Sequence, residues 1–169
     1  FETAGTVLPF ASLHPGFEEA GTGTLPAGWS ADPPGPSVAR RVLVPDAHGG
    51  SAVLRFDASS CAGCGGALSD PVPVTPGQAA AVRFWARSDV PIAGGHPPAA
   101  DFAGLAVQVR GSLAGVDQGP LLDLGVIDSR GVWRRYLGVV EVPTGVDALR
   151  LRFILQNGGA GVVDVDDLH

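Results

Sequence analysis

The sequence predicts an all-β protein, an antiparallel sandwich or barrel. Apolar residues recur with a period of two in short segments, as where Ala52, Leu54 and Phe56 alternate with Val53, Arg55 and Asp57. Turn residues bound every such segment: 25 glycines and 15 prolines punctuate the 169 residues, too often for long helices. No segment shows the 3.6-residue apolar period, so there are no helical crossovers to join parallel strands.

The predicted elements follow in chain order. Residues 1–13 form an arm or edge strand, because Phe1–Ser12 is apolar with an internal Pro9. Strands are expected at Ser37–Val44 and Ser51–Asp57, and at Ala79–Arg87, where Val82, Phe84 and Ala86 alternate with Arg83, Trp85 and Arg87. A loop rich in Pro and Gly runs from Ser88 to Ala103. Gly104–Gly111 alternates Leu105, Val107 and Val109 against Ala106, Gln108 and Arg110. Pro120–Ile127, Val132–Val142, Asp147–Gln156 and Gly161–Leu168 complete the set. No repeat or linker divides them, so residues 14–169 read as one module of ordinary domain size.

With 45% hydrophobic and 17% charged residues, the chain can bury a core, which excludes disorder. The net charge of −6 argues against nucleic acid as a partner. No apolar run reaches the roughly 18–20 residues of a membrane helix. All 11 basic side chains are arginines, a codon-usage signature, and there is no Met, as in a processed product or a piece of a larger protein.

Cys61 and Cys64 flank a glycine-rich turn. Zinc would need two further ligands, and the four histidines are scattered. A local disulfide pinning the turn is expected, two free thiols being the alternative; closing so small a loop contributes about 2 kcal/mol. The bridge implies an oxidising, extracellular setting.

Several landmarks then recur in order: Pro15-Gly16-Phe17-Glu18, Leu25-Pro26-Ala27-Gly28-Trp29, Gly49-Gly50-Ser51, Val74-Thr75-Pro76-Gly77, Val82-Arg83-Phe84-Trp85, Gly131-Val132-Trp133, Val142-Pro143 and Val163-Asp164-Val165-Asp166-Asp167-Leu168. Together they resemble the jelly-roll carbohydrate-binding modules of the galactose-binding-like superfold appended to xylanases and glucanases. The resemblance implies a structural calcium, held by Glu18, Asp166 and backbone carbonyls around Asp46 to Gly50. Calcium takes six to eight hard oxygens at about 2.3–2.6 Å, and it would compensate a carboxylate on a buried strand. The alternative is that Asp164, Asp166 and Asp167 face solvent or cap turns. Trp29 and Trp133 fall at landmarks that the resemblance makes core, leaving Trp85, Tyr136 and Phe102 as aromatics for a ligand.

Alternation also sorts the strand faces. If the strands share a sheet, Arg83, Trp85, Arg87, Gln108, Arg110, Arg150, Arg152 and Gln156 line one surface. An aromatic ring there suits a pyranose face, and Arg and Gln suit sugar hydroxyls. So many arginines suit an acidic or uronate-bearing glycan. The competing reading is that these arginines merely pair with the 17 acidic residues. There is no nucleophile elbow, zinc-protease motif or phosphate loop. Glu18 and Glu19 are adjacent, so on a strand they point to opposite faces and cannot act as an acid–base pair.

The expectation is a non-catalytic, extracellular carbohydrate-binding domain with a structural calcium. It would work alone, as a homo-oligomer, or within a multidomain parent. The alternative is a self-assembling subunit of a surface filament or virion appendage, with Phe1–Ser12 making the subunit contacts.

Overall fold

A computed structural model of the chain describes residues 17–18, 25–33, 39–60, 64–94, 103–156 and 160–169. The predicted arm at residues 1–13, Cys61 and Phe102 lie outside them. The strands are β1 (Trp29–Asp32), β2 (Ala39–Leu43), β3 (Ala52–Asp57), β4 (Gly65–Ser69), β5 (Val72–Pro73), β6 (Ala79–Ser88), β7 (Gly104–Leu113), β8 (Val116–Val126), β9 (Arg134–Glu141), β10 (Ala148–Gln156) and β11 (Val162–Asp166). They form two antiparallel sheets. The first runs β1-β4-β10-β7-β8, with β5 also paired to β10, and the second runs β2-β3-β11-β6-β9.

The sheets face each other across the residues that alternation assigns to the core. Leu149, Leu151, Phe153 and Leu155 of β10 and Leu54, Phe56, Phe84 and Val165 opposite are all fully buried. Phe153 is the hub, its ring centroid 5.4 Å from Phe56, 5.6 Å from Phe84 and 5.7 Å from Trp29. Each such ring contributes roughly 1.5–3 kcal/mol by leaving water.

Three strands escape the alternation rule. β1 and β5 are too short to show a period. β4 opens Gly65-Gly66, which reads as a turn, yet it pairs with both β1 and β10. Glycine is what permits that pairing, since a Cβ on Gly66 would lie 1.7 Å from the Phe153 carbonyl oxygen. β8 begins at Val116, four residues before the expected start. Ala114 and Gly115, both at positive φ (50° and 81°), form the tight hairpin turn from β7. Pro120 lies inside β8, which tolerates it as an edge strand with register shifts against β7.

Candidate functional site

The eight residues expected on one surface are divided between two. β6 belongs to the second sheet, whereas β7 and β10 pair in the first. Arg83, Trp85 and Arg87 therefore face outward on the opposite side of the sandwich from Gln108, Arg110, Arg150, Arg152 and Gln156. Strand alternation tells which residues share a face within a strand, but only pairing tells which strands share a sheet.

On the second sheet the outward polar groups bond to one another. Asp164 is fully buried and lies in register between Arg55 of β3 and Arg87 of β6. Arg55 donates Nε and Nη2 to the two oxygens of Asp164 at 2.6 and 2.9 Å. Arg87 donates Nε and Nη2 to Oδ2 at 3.0 and 2.9 Å, and it also grips both carboxylate oxygens of Asp46. The hydrogen bond to Asp164 raises the Arg55 pKa, and those to Asp46 and Asp164 raise that of Arg87. The bond from Arg87 holds the Asp46 carboxyl below its usual range.

Trp85 is not an open platform. The His48 ring stacks on it at 3.8 Å and meets Trp133 edge-on at 6.0 Å, while His48 Nδ1 lies 2.6 Å from Asp167 Oδ2. Trp133 is half-buried at the surface, unlike the core position expected of it. The Arg87 guanidinium sits 4.9 Å over its ring, and its indole donates to the Asp46 carbonyl at 3.0 Å. Trp29 does lie in the core. Tyr136 stacks on Phe84 at 5.3 Å on the inward side, which removes it as a ligand platform. Arg83 remains exposed. His48 is not named from the sequence as the partner of Trp85, nor Asp167 as the partner of His48; the signal for both is their place beside the Gly49-Gly50 turn and the last strand.

The groups expected to hold calcium gather at that turn, in part. Glu18 Oε1 accepts the amides of Ser51 and Ala52 at 2.7 and 2.8 Å. Burial works to raise its pKa, but those amides, the Ser51 hydroxyl and Arg41 hold it below the ordinary value. Asp166 is fully buried and accepts the amides of Gly49 and Asp167, each at 2.8 Å. Burial pushes its pKa up to about 6, with the neighbouring Asp167 adding to the effect. A Cβ on Gly50 would lie 2.2 Å from Glu18 Oε1 and one on Gly49 2.4 Å from Asp167 Oδ1, so carboxylates converge on the turn from both sides. Asp46 departs from the expected set, its carboxylate committed to Arg87 and its carbonyl to Trp133. No group of three or more His, Cys, Asp or Glu side chains is arranged to hold a metal ion among the described residues. A buried carboxylate with only amide donors does suit a hard cation that also takes backbone carbonyls. That Asp164 and Asp166 are buried overturns the reading that they face solvent.

On the first sheet Arg110 and Arg150 are directly opposed across β7 and β10, and Gln108 opposes Arg152. Arg110 pairs with Asp117, and Arg152 with Asp32. Arg150 differs: its Nε donates to the Ser69 carbonyl at 2.7 Å, and its two terminal nitrogens have no partner among the described residues. Gln108 is 8% exposed and Ala106 fully buried although both point away from the core, so this face is recessed at its centre. Gln156 lies at its end, opposite Gly104. None of the outward side chains of these strands is aromatic among the described residues.

No protein-family model matches the sequence, and no curated protein matches it. Solved structures share its fold. A xylan-binding domain of carbohydrate-binding family 22 matches at 15% identity and a TM-score of 0.55, over 95% of this chain and 94% of that one. A family 61 module in complex with β-1,4-galactotriose matches at 15% identity and 0.54, over 92% of each chain. The K2 cleaved adhesin domain of Lys-gingipain matches at 17% identity and 0.57, over 91% of this chain and 94% of that one. The chain thus has the jelly-roll β-sandwich fold of carbohydrate-binding modules.

Proposed function

We propose that this domain is a non-catalytic carbohydrate-binding module, and that its polysaccharide lies across the outward face of the first sheet. The observation that carries the reading is Arg150. Its guanidinium is half-buried, turns both terminal nitrogens outward without a described protein partner, and lies directly opposite a second arginine. A glycan chain offers acceptors in the recess between Gln108, Arg110, Arg152 and Gln156. With no aromatic floor, hydrogen bonds and charge must supply the recognition, and a uronate carboxylate matches the guanidinium fork.

Two supporting parts belong to the same reading. A structural calcium would be held by Glu18, Asp166 and the Gly50 carbonyl, joining the start of the chain to its last strand. Cys64 would pair with Cys61 to pin the turn before β4, as suits an extracellular protein; no cysteine is free among the described residues. No described helix is long and apolar enough to cross a membrane. The filament-subunit reading has no observation behind it, because Phe1–Ser12 lies outside the described residues.

Affinity electrophoresis through gels containing glucuronoxylan, polygalacturonate, neutral xylan or β-glucan tests the proposal. The protein should be retarded by the uronate-bearing polymers, and Arg150→Ala should lose that retardation while Trp85→Ala keeps it. No retardation by any polymer would overturn the reading.

A further inference from the structure

Each sheet ends in two edge strands, and three of the four are guarded. β1 spans only four residues between Pro26 and Pro33. β2 spans five and carries Arg40 and Arg41. β8 is interrupted by Pro120 and by register shifts against β7. Short length, charge, proline and irregularity each discourage pairing with another chain. β9 has none of these along its middle. It runs eight residues without proline and pairs β6 in unbroken register from Arg134 to Glu141. No strand pairs its other edge among the described residues.

The outward residues of β9 form a pattern. Leu137 and Val139 are each 59% exposed and are neighbours on the same face of the strand. Arg135 and Glu141 flank them, both exposed and without an ion-pair partner among the described residues. The sequence of outward groups is thus cation, aliphatic, aliphatic, anion, centred on Gly138. On the inward side Gly138 rests against the side chains of Leu122 and Leu124.

We propose that two copies of this chain associate through β9, antiparallel about a two-fold axis at Gly138, so that the second sheet continues across both copies. An isologous contact makes each residue meet the counterpart that meets it in turn. Here Arg135 of each copy opposes Glu141 of the other, and Leu137 opposes Val139. Registers that keep the outward faces on one side shift the pairing sum in steps of two. Moving one step either way sets Arg135 against Val139 or Pro143, so among these neighbours only the Gly138 register pairs the charges. The same contact sets the exposed aliphatics side by side across the two strands, burying their facing flanks, and satisfies the free backbone groups of the edge.

The test is sedimentation velocity, with light scattering after gel filtration, across concentrations bracketing the micromolar range. The wild type should shift from monomer to dimer. Arg135→Glu and Glu141→Arg should each weaken the dimer at least about tenfold, since each sets two like-charge pairs across the strands. The double reversal Arg135→Glu/Glu141→Arg should restore it. Leu137→Lys/Val139→Lys should leave only monomer, with circular dichroism and melting temperature confirming the fold of every variant. A wild type that stays monomeric throughout, a dimer indifferent to either single reversal, or a double reversal that fails to restore association would overturn the proposal.

Discussion

Arg55 and Arg87 on the outward face of the second sheet converge on a single buried carboxylate, whereas Arg110 and Arg150, directly opposed on the first sheet, have no carboxylate between them. The difference lies in what the middle strand supplies. In the second sheet β11 runs between β3 and β6 and places Asp164 between the two arginines. In the first sheet β7 and β10 are adjacent, with no strand between to bring an acid. Arg110 turns sideways to Asp117, and Arg150 is left with a backbone carbonyl. The same residue types thus make a closed network on one face, and on the other leave Arg150 without an acid while Arg110 and Arg152 pair with Asp117 and Asp32. Composition alone does not separate the two arrangements.

The largest effect that would break this contrast is at Asp164. Asp164→Ala strands the Arg55 guanidinium, less than one-quarter exposed, and leaves Arg87 with Asp46 alone; it should cost about 3–5 kcal/mol in urea unfolding at neutral pH. A loss near zero would mean that the second-sheet face is as open as the first.

Next comes Asp166. Its folded pKa of about 6 lies above the ordinary 3.8. A carboxyl raised on folding contributes its full stability below the unfolded pKa and loses it as pH rises through the folded one. In chelator, the protein should therefore lose roughly 2–3 kcal/mol of this contribution between about pH 4 and pH 6. Glu18, Asp46 and Asp57, all lowered, work in the opposite direction, so the comparison with Asp166→Asn isolates it. The variant should lack the loss, and calcium should suppress it in the wild type. If calcium leaves the wild-type melting curve unchanged across this range, the metal site is rejected.

The smaller effects sharpen the division of labour. Trp85→Ala removes the ring on which His48 stacks and should cost about 2 kcal/mol without changing glycan retardation. Arg150→Ala should change stability by under about 0.5 kcal/mol and abolish retardation. The reverse pattern would move the binding face to the second sheet.

The amino-acid sequence by itself determined the all-β class and most of the core. Side-chain alternation is a local property with a period of two, and it placed Leu149, Leu151, Phe153 and Leu155 inward from residue order alone. It also placed Arg83, Trp85 and Arg87 on one face of their strand, and Arg150 and Arg152 on one face of theirs. Local order could not reveal β4, whose glycines look like a turn until the Phe153 carbonyl is seen against Gly66. Nor could it pair strands, and pairing is what sent Trp85 and Arg150 to opposite sides of the sandwich. Only the tertiary structure decided which arginines meet an acid, because Asp164, Asp46, Asp117 and Asp32 come from other strands and turns. Period and polarity are written residue by residue, but neutralising a charge depends on which distant segment the fold brings beside it.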